Sequence, residues 1–263
     1  MTGRARILGA MFRSGADTGA MFSDADAAAL YDLVNPWDPR RFPADSFYDG
    51  LVMGADSVLD VGCGTGAMLH QARRAHHRGR LVGVDPDRAA LDRARRRTDV
   101  EWIEGTAAGI RADAEFDLAT MVSHAFQCLV TDAELAASLA AVRAALRDGG
   151  RFVFETRHPQ ARAWTGWNPS AASELVDAAG RSLRTWHEVE SVVDDVVTFT
   201  GTTARSDGEV LRVDRTSLRF LDAARLDAFL ADAGFTIEAR YGDWDRSPVT
   251  ATSRELITIA RRG

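Results

Sequence analysis

Val58-Leu59-Asp60-Val61-Gly62-Cys63-Gly64-Thr65-Gly66 is a short apolar run interrupted by one acid and closed by glycines at alternate positions. Val58, Leu59 and Val61 read as a buried strand and the glycines as a tight turn. Thr65 then opens a helical pattern through Met68, Leu69, Ala72 and Ala75, expected to end near Gly79. A strand that turns through glycines onto a helix N-terminus brings bare main chain up to a ligand. A Cβ in that turn would hold a flat ligand off the backbone and resist positive φ.

Which ligand depends on Asp60. Gly62-x-Gly64-x-x-Ala67 also fits the loose dinucleotide fingerprint, so the glycines alone decide little. Beside a pyrophosphate the Asp60 carboxylate would repel, by about 4 kcal/mol at ~4 Å before screening. A phosphate-free ligand with positive groups of its own suits it, and S-adenosylmethionine (SAM) carries a sulfonium and an ammonium. The chain resembles the class I SAM-dependent methyltransferases, whose first motif reads as this segment does. That resemblance implies an α/β fold with a Rossmann-like, seven-stranded, doubly wound sheet and an antiparallel last strand. It also implies methyl transfer to an oxygen or nitrogen of a small-molecule acceptor, with S-adenosylhomocysteine as product.

Other segments extend the match. Leu81-Val82-Gly83-Val84-Asp85 is a second strand with its acid at the carboxyl end, about 20 residues past the glycines. At that offset a carboxylate accepts the ribose hydroxyls. Pro86 follows, and Asp87 caps a helix carrying Leu91 and Ala94. Val100–Glu104 is the third strand, and Gly105-Thr106-Ala107 stands where many relatives place an aspartate on the adenine. Thr106 departs from that pattern, which leaves adenine to a hydroxyl or to backbone atoms around Ala107. Phe116–Met121 is the fourth strand, leading through Val122 and Ser123 to His124. Ligands in open α/β sheets lie beyond the strands' carboxyl ends where strand order reverses. Met121 and Val122 should therefore border the cofactor, with Gly62, Cys63 and Gly64 across from them. His124 should face the methyl group, as a general base or as a positioning group.

Ahead of the glycines, residues 1–22 lack periodicity and read as a leader. Ser23 and Asp26 then cap a helix with Ala27, Leu30, Tyr31 and Val34 on one face, which Asn35-Pro36 stops. In the family a helix here folds over the cofactor, so Tyr31 and Trp37 are expected to close the site. Residues 23–158 form the cofactor-binding core. Its final parts are a helix capped by Thr131 and Glu134, ended by Gly149-Gly150, and a fifth strand, Phe152–Phe154, running into Glu155-Thr156-Arg157-His158. From 159 to 220 the pattern changes to β-branched runs joined at Asp194-Asp195 and Asp207-Gly208, the second a hairpin signal. This is read as an antiparallel insertion lying as a lid over the acceptor. Residues 221–263 supply the last helix and strands that complete the core sheet. Arg157, His158 and Trp244 are expected to join Trp37 and His124 around the acceptor, Arg157 facing an acidic substrate group or a structural ion pair.

Composition narrows the classes further. The chain has 263 residues and 46% hydrophobic content, enough for one large domain or one domain with an insertion. All 32 basic residues are arginine, so Schiff-base chemistry on lysine is excluded. A net charge of −6 argues against a nucleic-acid substrate. No run of ~18 apolar residues suggests a membrane span, and arginines interrupt the N-terminal apolar stretches; a cytoplasmic monomer or homodimer is expected. Two cysteines are too few for a disulfide framework or a zinc site, and no metal site is expected. His70, His76, His77 and His187 are expected at the surface. Two other readings stay open: a non-catalytic SAM-binding partner protein of the same fold, and an NAD-dependent oxidoreductase, which Asp60 opposes.

Overall fold

Every residue of β1 (Ser57–Val61) is buried, as befits a strand covered on both faces by helices. In this computed structural model, which describes residues 22–263, β1 lies between β2 (Arg80–Asp85) and β4 (Phe116–Met121), parallel to both. β3 (Glu101–Glu104) closes one edge beside β2. On the other side come β5 (Leu146–Arg157), then β11 (Glu255–Arg262) antiparallel to it, then β10 (Phe235–Tyr241). The resulting seven-stranded order, β10-β11-β5-β4-β1-β2-β3, changes direction between β1 and β4. A ligand crevice therefore belongs at the carboxyl ends of those two strands.

Strand alternation sorts the core into two layers. Leu59, Val61, Val82, Val84 and Met121 pack with α5 (Asp132–Ala145) and α6 (Ala223–Asp232) through Leu135, Leu139, Val142, Leu226 and Leu230. Val58, Leu81, Val153 and Ile257 face the other way, onto α2 (Pro43–Met53) and α3 (Ala67–Arg74). The acids and amides that end these strands are left on the carboxyl edge. The expected caps form: Ser23 with Asp26 on α1 (Asp24–Val34), Thr131 with Glu134 on α5, and Asp87 on α4 (Arg88–Ala94).

Several elements depart from the sequence-based expectation. α2 was not anticipated, because Pro43 stands within a proline-punctuated stretch; here it occupies the first helical turn, where its missing N–H costs nothing. α3 stops at Arg74 rather than near Gly79. The Arg73 guanidinium donates to the carbonyls of His77 (2.7 Å) and Gly79 (2.8 Å), and His76 takes φ +66, which folds the chain back. α5 ends at Ala145, before Gly149-Gly150, because fully buried Leu146 already pairs with Phe116 as the first residue of β5.

Residues 159–172 make short 3-10 turns, and the chain then builds a separate antiparallel sheet, β6-β7-β8-β9. Its strands are β6 (Ser173–Val176), β7 (Ser182–Val193), β8 (Val196–Arg205) and β9 (Val210–Arg219), with the hairpins turning at Asp194 (φ +53) and Gly208 (φ +99). α1 links this sheet to the core. Asp32 pairs with Arg93 of α4 at 2.6 Å, while Asp26 and Asp24 pair with Arg181 (2.6 Å) and Arg212 (2.7 Å) of the insertion. Phe22, expected in the leader, is buried with Leu30, Leu183 and Leu211 at this junction; the rest of that leader lies outside the described residues. None of the described helices is long and apolar enough to cross a membrane.

Candidate active site

The glycine bend is fixed from β2. The amides of Gly62 and Cys63 both donate to the Val84 carbonyl, at 2.8 and 3.1 Å. Gly64 (φ +53) donates its N–H to Asp85 Oδ2 at 2.7 Å, and Asp87 N–H donates to Oδ1 at 2.8 Å. Asp85 thus holds the bend against its own strand, and these two bonds use half of a carboxylate's four acceptor positions. A Cβ on Gly64 would enter open space, whereas one on Gly66 would collide with the Trp102 ring. The two glycines answer different needs: ligand approach at Gly64, internal packing at Gly66. The Cys63 thiol packs among Leu91, Ala94 and Trp102, and burial raises its pKa, so it is no nucleophile at neutral pH.

Three buried acids cluster along this edge. Asp60 accepts from Thr120 Oγ1 at 2.9 Å; burial, with the fields of Asp85 and Glu155, raises its pKa to about 7. Burial likewise raises Asp85 to about 6. Glu155 accepts from the Tyr48 hydroxyl and from His124 N–H (2.9 Å), and burial raises it too. Among the described residues none of the three is ion-paired with an arginine. A buried cluster of acids without an arginine partner among the described residues, beside a glycine open to close approach, fits a ligand that brings positive charge without phosphate. SAM meets that description.

The same groups predict a pH dependence. The folded chain holds protons on Asp60 and Asp85 that the unfolded chain has released, so their contribution to stability is lost as pH rises through about 6 to 7. A bound cation favours the ionised acids, so SAM affinity should rise over the same window. Between pH 6 and 8 calorimetry should show roughly ten-fold tighter binding, since one pKa unit corresponds to about 1.4 kcal/mol. A flat profile would count against Asp60 facing the cation.

Beyond β4 the chain takes left-handed conformations at Ser123 (φ +56) and His124 (φ +63), which bends His124 N–H back to Glu155. The imidazole Nε2 lies 2.9 Å from Glu255 Oε2. Glu255 opens β11 directly opposite Arg157, the last residue of β5. His124, Glu255 and Arg157 line a cavity of about 360 Å³ whose far wall comes from the insertion, through Trp167, Trp186 and His187. His187 is not the surface residue expected: it packs beside Phe199 (5.5 Å) and Trp167 (6.3 Å). Burial, then the Arg157 charge, lower its pKa to about 4. His77 is also buried, its Nε2 at 2.8 Å from the Ala55 carbonyl.

Residues 58–150 match a family model described as a methyltransferase domain. This chain is a SAM-dependent methyltransferase. It is similar to the cypemycin N-terminal methyltransferase of a Streptomyces species, with 27% identity over 263 residues, 91% of this chain and 97% of that protein. A SAM-dependent methyltransferase from Clostridium acetobutylicum shares the fold at TM-score 0.71 and 16% identity, over 90% of this chain and 98% of that one. So does SAM-bound CalS10, an amino pentose methyltransferase from Micromonospora echinaspora, at TM-score 0.63 and 23% identity, over 86% and 94%.

In this methyltransferase the residues singled out from sequence fall into three groups. Asp60, Gly62, Cys63, Gly64 and Asp85 gather at the bend, followed by exposed Pro86; Thr106 is exposed at the end of β3. Ala107, Met121 and Val122 put their side chains into the core. His124 and Arg157 meet at the cavity. Not brought there are Trp37 and Trp244, which join the α2 layer, where Trp244 packs on Phe47 (5.6 Å) and Tyr48 (5.9 Å). His158, one residue past β5, is not part of the cavity lining; it caps a 3-10 turn, its Nδ1 accepting from Gln160 N–H at 3.1 Å. Tyr31 lines a smaller cavity of about 50 Å³ between α1 and the insertion. Sequence reasoning missed Glu155, Glu255, Gln127 and Tyr48. Glu155 was within reach, being an acid at a strand's carboxyl end like Asp60 and Asp85.

Proposed function

We propose that this methyltransferase methylates the nitrogen of an amine on a small molecule or peptide end, held in the cavity beneath the 159–220 insertion. The observation that carries the reading is the His124 Nε2–Glu255 Oε2 contact of 2.9 Å at that cavity. An amine arrives protonated near neutrality and has no lone pair to offer until a base removes the proton. His124 is that base, and Glu255 orients its ring. The names of two relatives, an N-terminal methyltransferase and an amino pentose methyltransferase, support nitrogen over oxygen.

When bound, SAM supplies the methyl group together with its own leaving group, so the protein mainly aligns the partners. In this proposal Asp60 faces the cationic end, Asp85 the ribose, and the bend at Gly62–Gly64 the flat body, with Thr106 and Ala107 beside the adenine and Tyr31 on the roof. Residues 23–158 and 221–263 hold the cofactor, residues 159–220 shape the acceptor space, and the protein works in the cytoplasm as a monomer or homodimer. The test incubates the full chain with SAM and paired panels of primary amines and matching alcohols, followed by mass spectrometry. S-adenosylhomocysteine and a gain of one CH2 are expected with amines. Methylated alcohols alone would overturn the nitrogen assignment, and absence of SAM binding would overturn the cofactor.

A further inference from the structure

Arg157 is 9% exposed, lines the cavity, and is paired unlike buried Arg219 or half-buried Arg212. Arg219, 5% exposed, has carboxylates at 2.6 Å (Asp132) and 2.9 Å (Asp195). Arg212 has Asp24 and Asp214, both at 2.7 Å. Arg157 has no carboxylate within 4.0 Å among the described residues. Its guanidinium donates to Gln127 Oε1 at 3.3 Å and stands 5.8 Å from the Trp167 ring centre. A guanidinium carries five N–H donors, and that bond uses one. The acids nearest in the fold are already engaged: Glu255 with His124, and Glu155 with Tyr48 and the His124 amide. His187, on the opposing wall, is neutral at pH 7 and adds no counter-charge, while Arg254 adds a second, exposed cation at the rim. Burial lowers the Arg157 pKa, where pairing raises those of Arg212 and Arg219.

We infer that Arg157 anchors an anionic oxygen group of the acceptor, a carboxylate or a phosphate monoester, so that the amine methylated here also carries an acid. The fork of a guanidinium matches two coplanar oxygens, and at a buried guanidinium that match selects against neutral analogues. Gln127 fixes the fork: its Nε2 is held by the Arg219 carbonyl (2.8 Å), and its Oε1 receives both the Arg157 main-chain amide (3.1 Å) and the guanidinium. Assigning the cavity to the acceptor rests on the methyl-transfer reading, whereas the anion preference can be measured without any turnover.

The experiment titrates the full chain, with and without S-adenosylhomocysteine, with indole-3-acetate against indole-3-acetamide and with phenyl phosphate against phenol. One anion should bind ten-fold or more tightly than its neutral counterpart, and which anion it is separates the two sources. Arg157→Gln should abolish the preference, and Arg254→Gln, at an exposed position, should keep it. Equal binding of anion and neutral partner by the unmodified protein overturns the inference whether or not the Arg157 variant folds. So does a preference lost only in Arg254→Gln. A separate SAM titration on the same sample reports on the cofactor, so failure of one reading is distinguishable from failure of the other.

Discussion

Asp85→Ala is expected to weaken SAM binding ten-fold or more in a calorimetric titration. Two main-chain amides, of Gly64 and Asp87, donate to this carboxylate, and the proposed ribose contact uses its remaining lone pairs. Hydrogen bonds to a charged acceptor contribute ~1.5–3 kcal/mol each, and about 1.4 kcal/mol is a factor of ten in affinity. Loss of the carboxylate removes a ligand contact and also frees the Gly64 amide, so the bend no longer presents a fixed surface. Asp85→Asn separates the two effects. It keeps the size and one accepting oxygen, but turns an NH2 toward an amide that needs an acceptor, so its affinity should fall between the other two. SAM affinity unchanged in the alanine variant would remove Asp85 from the cofactor site.

His124→Ala should lower turnover about a hundred-fold or more, the range in which a positioned base contributes, while SAM affinity moves less than about three-fold, under ~0.7 kcal/mol. Glu255→Gln should cost less, because the imidazole stays in place without the charge beside it. Since Glu255 acts through His124, the double variant should be no slower than His124→Ala alone. Fully additive losses would mean that Glu255 has its own part in the reaction, and unaltered turnover in His124→Ala would end the base assignment. A loss of SAM affinity matching the loss of turnover would recast His124 as part of the cofactor wall.

How far the sequence revealed this arrangement follows from where each signal lies along the chain. Val58–Gly66 and Leu81–Asp85 were readable because strand, turn and helix start are contiguous, and the acid of each is adjacent to the turn that uses it. The hairpins of the insertion were readable from Asp194-Asp195 and Asp207-Gly208, though β7 runs back to Ser182, well before its β-branched end. The cavity was not readable. Glu255 and His124 are 131 positions apart, and they meet only because β11 pairs with β5 in one register. The same holds for Arg157, whose ordinary-looking Glu-Thr-Arg-His context hides that Arg157 closes β5 at the cavity while His158 caps the 3-10 turn beyond it. Trp37 and Trp244 were not told apart because aromatic residues near a ligand edge and aromatic residues of a packing layer look alike until α2 is known to supply Phe47 and Tyr48 to that layer.

The antiparallel seam between β5 and β11 puts the proposed base's carboxylate partner, Glu255, under the control of the sheet's final closure. A chain ending after α6 would retain Asp60, the glycine bend and Asp85, and yet possess no Glu255. A slip of one residue along the seam would put Arg254 or Leu256 opposite Arg157 in place of Glu255 and invert which face each side chain meets. On the proposed roles, the means of holding a nucleoside and the means of activating a nucleophile are therefore acquired separately, and only a correctly zipped chain possesses both.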